Sequence, residues 1–347
     1  MSGVVSKAQE NGDLFGFIRG ELLAVEKLMY RTLAVDNTVL LEACLHLLRA
    51  GGKRLRPALA LLSARLGGDG AAAATGGEGD GAAAAGDGHA ALAAGAGVEL
   101  VHVATLIHDD MVDAASTRRG RPTVNARWSD RISVLAGDYL FACAFSLIAT
   151  NLGRPALVYM SDVVSGMCHG ELDEVTRPFD LTLGEDRYLL GIERKTAGLM
   201  AASCLLGALA ADAPAERQER LQGFGRALGM TFQIVDDVLD IWGDPRAMGK
   251  PVGVDLRGGV VTLPVLRALA AAPGRDELRE ILGRAAAGDG DLDRALALVR
   301  ASDAREYAQA AAGRYAARAR QALAGLPSSP ARETLARTVD FVLTRMN

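Results

Sequence analysis

The sequence predicts an all-α protein, and three observations predict it. Apolar residues recur at helical spacing over most of the chain, no stretch alternates apolar and polar residues as a half-buried strand would, and Pro and Gly gather between the helical blocks. Helical spacing runs from Phe15 to Ala50, from Pro57 to Leu66, from Val98 to Val112 and through most of the chain beyond. Punctuation falls at Gly51-Gly52, Gly120 to Pro122, Gly153 to Pro155, Pro214 and Gly243 to Pro251, which cuts the chain into the blocks of a many-helix bundle. Residues 67–97 are nearly all Gly, Ala, Asp, Glu and Thr and offer too little side chain to offset their ordering entropy. Most of this segment reads as a mobile surface insertion; an Ala-rich helix across Ala82 to Ala85 and Ala90 to Ala94 is the alternative, which the glycines disfavour in its first half.

With 347 residues, 50% of them hydrophobic and 23% charged, the chain can bury a large core. Its net charge of −4, from 38 basic and 42 acidic residues, gives no global field for nucleic acid or an anionic membrane, so any anion site must be local. Cys44, Cys143, Cys168 and Cys204 are widely spaced and form no metal-type or redox pair, which fits a reduced, cytoplasmic setting. The N-terminus lacks the basic-then-apolar order of a secretion signal. The longest uncharged stretches, Tyr139 to Gly153 and Thr196 to Ala211, are about 15 and 16 residues, short of the roughly 18 to 20 that a membrane helix needs, so no transmembrane segment is expected.

Chemistry concentrates in two acidic clusters. His108-Asp109-Asp110-Met111-Val112-Asp113 places carboxylates at i, i+1 and i+4 in an apolar helix, and Asp236-Asp237-Val238-Leu239-Asp240 repeats that spacing. Positions i and i+4 stack one turn apart, where like charges repel. One such cluster is commonly a solvated helix end; two copies with apolar flanks call for a compensating cation. Magnesium meets that need, because it takes few carboxylates, keeps several waters and reaches phosphate oxygens. Two basic runs supply anion sites. Gly51-Gly52-Lys53-Arg54-Leu55-Arg56-Pro57 sets three cations at a helix start marked by Pro57, and Thr117-Arg118-Arg119-Gly120-Arg121-Pro122-Thr123 offers guanidinium forks just after the first acidic cluster. Taken singly, either run could be only a solvated loop.

These segments, followed in order by GDYLFA, KTAGL, FQIVDDVLD and GKPVGVDL, resemble the trans-isoprenyl diphosphate synthase family from about residue 15 to the closing Thr334 to Asn347 segment. The resemblance implies one domain over residues 1–347, a large antiparallel helical bundle around a deep central cavity, acting as a homodimer. It implies that Asp109, Asp113 and Asp236 bind magnesium, with about three ions per substrate-loaded site, and that Asp110, Asp237 and Asp240 support them. Arg118, Lys195 and Lys250 would hold the allylic diphosphate. Isopentenyl diphosphate would sit on Gly52, Lys53, Arg56, His102 and Arg119, and Thr196, Gln233 and Phe232 would steady a carbocation or exclude water. His102 alone would otherwise read as a satisfied helix histidine, and His108 as a packing residue.

Product length, by the same resemblance, is set by residues upstream of Asp109. At about 1.5 Å per residue, Ala104 lies roughly 7 Å, Val101 roughly 12 Å and Gly97 roughly 18 Å below it, and with Thr105 they are small enough for a product of about thirty carbons or more. Such a product suits a quinone side chain. Phe145 or Met160 could still close the tunnel, or Ala104 and Val101 could simply pack against a neighbouring helix; a shorter farnesyl or geranylgeranyl product is then the alternative. The chain departs from the family at Val260, where a Lys is common, with Arg257 as a candidate substitute, and at Glu174, where many relatives carry Gln. A terpene cyclase, a metal phosphohydrolase and a non-catalytic subunit of a prenyl synthase are the rivals; the intact DDVLD and GGKRLRP segments stand against the first and the last.

Overall fold

The computed structural model describes residues 14–68, 87–245 and 251–346. Among these the chain is helical apart from one short hairpin. In order come α1 (Arg19–Thr32), α2 (Thr38–Arg49), α3 (Leu55–Gly67), α4 (Asp87–Val112), the strands β1 (Thr117–Arg118) and β2 (Arg121–Pro122), α5 (Val124–Arg127) and α6 (Asp130–Val175). Next are α7 (Glu185–Ile192), α8 (Gly198–Ala210), α9 (Ala215–Trp242), α10 (Val254–Arg257), α11 (Leu263–Ala271), α12 (Arg275–Ala285), α13 (Leu292–Arg300), α14 (Ala304–Ala324) and α15 (Pro330–Thr344). The chain divides into two compact units. The first is Met1–Ser161, Ala202–Gln222 and Leu326–Leu335; the second is Asp162–Ala201, Gly223–Gly325 and Ala336–Asn347.

In the first unit α4 is the central helix. Leu100, Val101, Ala104 and Ile107 have no exposed surface, and each large side chain so buried contributes about 1.5–3 kcal/mol. Its glycines are where neighbours come closest. A Cβ at Gly95 would lie 3.2 Å from Val25 Cγ2 of α1, and one at Gly97 would lie 2.7 Å from Ile148 Cγ1 of α6. The expected loop over residues 67–97 is therefore corrected at its end: α4 begins at Asp87, and Ala93, Ala94 and Ala96 are fully buried. The small residues that suggested a loop are the ones that let helices touch. The rest of that segment, residues 69–86, lies outside the described residues.

Helix ends obey local chemistry. Asn37 caps α2, its side chain accepting from the N–H groups of Val39 and Leu40. Gly153 interrupts α6 with φ 80° and ψ −175°, a conformation open essentially to glycine alone, and Pro155 then restarts the helix. By length and composition Gly88–Val112 and Asp130–Val175 could each cross a membrane, longer runs than the uncharged stretches suggested because a few charges lie inside them. The first is 72% buried within the protein and the second carries the Gly153 break.

The second unit has its own core, in which Ile241 of α9, Val265 of α11, Leu282 of α12 and Val299 of α13 pack together. Between α7 and α8 the turn Glu193–Ala197 is a π-helix. A Cβ at Gly229 of α9 would lie 2.5 Å from Ala197 Cα, so only glycine lets α9 lie against that turn.

Candidate active site

In the first unit the site is built at the C-terminal end of α4. The helix ends by Asp113, whose N–H donates to Asp109 O at 2.8 Å, because Ala114 turns left-handed (φ 49°) and the Ala115 N–H closes onto Asp110 O at 2.8 Å. Asp109 is half-buried and Asp113 exposed, one turn apart. Asp110 faces inward, 1% exposed, and accepts from Arg118 Nε at 2.6 Å. Burial raises its carboxyl above the ordinary range, against the pull of Arg118. Thr123 Oγ1 and Asn125 Nδ2 donate to Ala115 O at 2.7 and 3.2 Å and fix the chain where it leaves the cluster.

Arg118 and Arg119 sit on the hairpin. Thr117 pairs with Pro122 and Arg118 with Arg121, and the two-residue turn Arg119-Gly120 has φ of 52° and 74°, both left-handed as a tight hairpin requires. This turn brings Arg119 to the first basic run, where a Cβ at Gly52 would lie 3.1 Å from Arg119 Nη1. His102, one helical face away, is ringed by Arg56, Arg119, Arg118 and Arg54. Burial first and these guanidiniums second hold its pKa well below the usual histidine value, so it is neutral near pH 7. Gly52, Arg56, His102, Arg118 and Arg119 thus converge, and Lys53 is exposed beside them. Arg54 is different. Its side chain turns inward to Glu26 and Glu99, 2.8 Å from each, and is an anchor of the fold.

Below Asp109, α4 and α6 run antiparallel. Gly97 meets Ile148, while His108, three turns later, meets Gly137, where a Cβ would lie 2.1 Å from His108 Nε2. The His108 ring contacts Phe141, which stacks on Phe145 with centroids 6.1 Å apart. Val101 and Ala104 are fully buried, and Thr105 is half-buried with its hydroxyl folded back onto His102 O at 2.9 Å.

The second unit holds the other acidic cluster on α9. Asp237 is 2% exposed and receives Tyr188 OH at 2.5 Å and Gln233 Nε2 at 2.9 Å, while Gln233 Oε1 accepts from Thr196 Oγ1 at 2.7 Å. Burial and the nearby charge of Asp255 push its carboxyl well up. Asp240, 1% exposed, accepts from the N–H groups of Val254 and Asp255 at 3.2 Å each and so fixes the start of α10. Asp236 faces Arg345 at 2.7 Å, and that guanidinium also lies over the Phe232 ring. Lys195, in the π-turn, is paired with Glu171 at 2.9 Å and Glu174 at 2.7 Å. Burial opposes its charge, yet the two carboxylates outweigh it and hold the ammonium above the usual lysine range. A cavity of about 160 Å³ opens here, lined among others by Lys195, Gln233, Asp237 and Val260. Arg257 is not on its wall; it pairs with Asp293. Lys250 lies outside the described residues.

Hard carboxylate oxygens suit magnesium at Asp109 and Asp113 in the first unit and, separately, at Asp236 in the second, with which Arg345 already pairs. Among the described residues no three His, Cys, Asp or Glu side chains gather tightly enough to hold an ion alone. Water and phosphate oxygens would complete the shell, as magnesium prefers. Sequence reading missed Glu99, Gly137, Tyr188 and Arg345. An acid inside an apolar helix flags Glu99; Tyr188 and Arg345 sit in ordinary contexts with no such signal.

A family profile described as Polyprenyl synthetase matches residues 37–299. The chain is 40% identical to heptaprenyl diphosphate synthase component 2 of Geobacillus stearothermophilus, over 93% of its own length and 95% of that protein's. It is 37% identical to nonaprenyl diphosphate synthase of Mycobacterium tuberculosis, over 94% and 93%. A solved decaprenyl diphosphate synthase from Rhodobacter capsulatus matches with a TM-score of 0.84 at 35% identity, over 96% of this chain and 98% of that one. A profile spanning most of the chain and relatives matched nearly end to end place this protein in the polyprenyl synthetase family, as an all-α prenyltransferase.

Proposed function

We propose that the chain is a long-chain all-trans-polyprenyl diphosphate synthase, joining isopentenyl diphosphate head-to-tail to an allylic diphosphate. The observation that carries the reading is the convergence of Gly52, Arg56, Arg119 and neutral His102 beside the first aspartate cluster. A prenyl diphosphate cyclase or a phosphohydrolase has no use for a second basic anion site there. Relatives whose names specify heptaprenyl, nonaprenyl and decaprenyl products support a long chain.

In this reading Asp109, Asp113 and Asp236 hold magnesium, which when bound stabilises the departing diphosphate as a Lewis acid. Arg118 and Lys195 bind the allylic diphosphate, and Arg56, Arg119 and the backbone at Gly52 bind isopentenyl diphosphate. The allylic C–O bond breaks, the isopentenyl double bond supplies the electrons of the new C–C bond, and a proton leaves to the released diphosphate. The Thr196–Gln233–Asp237–Tyr188 chain of hydrogen bonds fixes the Thr196 hydroxyl and the Gln233 amide at the wall where cationic charge develops. Phe141 and Phe145 are the floor candidates: they stack on one another along α6, and Phe141 contacts the His108 ring of α4. The reading includes a cytoplasmic homodimer without a membrane span.

The test is purified protein with magnesium, labelled isopentenyl diphosphate and farnesyl or geranylgeranyl diphosphate, with products resolved by length. A ladder ending at long chains supports the assignment and a stop at the first or second addition makes it a short-chain enzyme. No incorporation, with the protein folded, favours a subunit that needs a partner. A sedimentation mass of one chain would remove the homodimer.

A further inference from the structure

A residue with a Cβ stays left-handed when its surroundings hold it there, and at Arg54 the holding groups are plain. Arg54 is the N-cap of α3 with φ 49° and ψ 35°, where an N-cap backbone is ordinarily extended, and its side chain does not cap the helix. The guanidinium instead grips three helices. Nε donates to Glu26 of α1 and Nη1 to Glu99 of α4, each at 2.8 Å, and Nη2 donates to Leu48 O at the end of α2 at 3.3 Å. The Arg54 side chain is 10% exposed and that of Glu99 5%, so the pair is nearly out of water. Burial alone would lower the Arg54 pKa, yet Glu99 and Glu26 outweigh it and raise it.

Arg54 is also the joint of the first basic run. Core packing fixes the helix after it: Ala58, whose N–H donates to Arg54 O at 3.1 Å, has no exposed surface, and neither have Leu59 and Leu62. The residues before it, Gly52 and Lys53, are exposed, so their path relative to Arg56 follows from the Arg54 backbone. Turning φ from 49° to an ordinary helical value would rotate that preceding segment by about 110°. Gly52 would then leave Arg119, whose Nη1 stands 3.1 Å from where a Gly52 Cβ would be. Glu99 acts on Arg119 as well. Burial holds the Arg119 pKa below its usual value, and Glu99 opposes this more than any other charge there, Asp110 included.

We propose that Arg54 and Glu99 are positioning residues for the isopentenyl diphosphate site. Their ion pair holds the left-handed turn that sets Gly52 and Lys53 against Arg56, and Glu99, three residues before His102 on α4, steadies Arg119 from beneath. The inference rests on the synthase reading and gives the middle cation of the first basic run a task that touches no substrate.

The experiment is steady-state kinetics on the purified full chain with magnesium, varying each substrate in turn, beside circular dichroism to show that every variant is folded. Arg54→Ala removes the grip and keeps a Cβ that disfavours the turn; KM for isopentenyl diphosphate should rise about tenfold, with KM for the allylic substrate within about twofold of the parent. Arg54→Gly loses the same ion pairs but takes the left-handed backbone freely, and should recover a good part of that rise. Glu99→Gln keeps an acceptor for Arg54 and drops the charge, for a rise of about threefold. A merely structural role would lower the active fraction, and so kcat, with both KM values unchanged. Should Arg54→Ala not fold because Glu99 is left buried and unpaired, Ala and Gly are compared again with Glu99→Gln in each. Equal isopentenyl diphosphate KM in folded Ala and Gly variants, a parent-like KM in Arg54→Ala, or an equal rise for both substrates overturns the proposal. If the parent chain incorporates no isopentenyl diphosphate, the synthase reading fails, and the proposal with it.

Discussion

The two aspartate clusters share one spacing and use it differently. At the i+1 position they agree: Asp110 and Asp237 both turn inward, and each is met by side-chain donors, Arg118 in one case and Tyr188 with Gln233 in the other. At i+4 they part. Asp113 stands at the very end of α4, which a left-handed Ala114 closes, and it is exposed. Asp240 lies inside α9, which runs on to Trp242, so it is buried and spends its oxygens on the backbone of α10. A repeated motif therefore fixes the angle between carboxylates, while the point at which the helix stops decides which of them reach solvent.

The sharpest way to break this comparison is at the first carboxylate of each cluster. Asp109→Ala and Asp236→Ala should each lower the rate of isopentenyl incorporation by several powers of ten, about 4 kcal/mol or more of transition-state stabilisation. A near-normal rate in either variant would mean that the two clusters do not serve the same reaction.

Packing separates the units next. Gly229→Ala drives a methyl group against the Ala197 backbone and should cost about 3 kcal/mol in denaturant unfolding. Gly137→Ala meets the His108 ring, which can rotate aside at the expense of its contact to Val134 O, and should cost about 1–2 kcal/mol. Equal costs would show that the π-turn yields as readily as a side chain.

Smaller still is the split at i+4. Asp240→Ala strips an acceptor from two N–H groups and should lower stability by about 2 kcal/mol, whereas Asp113→Ala should stay within about 0.5 kcal/mol of the parent by the same urea titration. Matching losses would erase the distinction between an anchoring and a solvent-facing carboxylate.

The last is a pH effect confined to the first unit. Burial and four arginines depress the pKa of His102 in the folded protein. Below the ordinary histidine value of about 6.5 the unfolded chain takes up a proton that the folded one refuses, so the stability this neutral histidine provides is present above that pH and fades as pH falls. The slope is at most about 1.4 kcal/mol per pH unit. His102→Gln should flatten the stability profile from about pH 6.5 to the acid limb by that amount relative to the parent, and parallel profiles would show His102 protonating normally.

Most of the fold was legible because helical periodicity and the Pro and Gly punctuation are local signals. The start of α4 was not, because Gly95 and Gly97 look the same in sequence whether they loosen a chain or admit Val25 and Ile148. The acidic clusters and the second basic run were legible as chemistry. Arg54 was not separable from Lys53 and Arg56, since its partners Glu26 and Glu99 come from distant helices and its left-handed backbone, φ 49°, leaves no mark on composition. The same limit hid the competition at Lys195: Glu171 and Glu174 could be read, but not that both point at one ammonium.

The π-turn at Glu193–Ala197 gives that neighbourhood an angular phase. Each residue in a regular helix advances the direction of its side chain by about 100°, and a wider turn holds one residue more than the ladder on either side requires. Shortening Glu193–Ala197 by a single residue would let α7 and α8 fuse into one regular helix and swing Lys195 about a quarter-turn from Glu171 and Glu174. What surrounds Lys195 is thus set by a count of residues as much as by their kind, so a one-residue deletion here acts on the cavity as a rotation, with every other side chain still present.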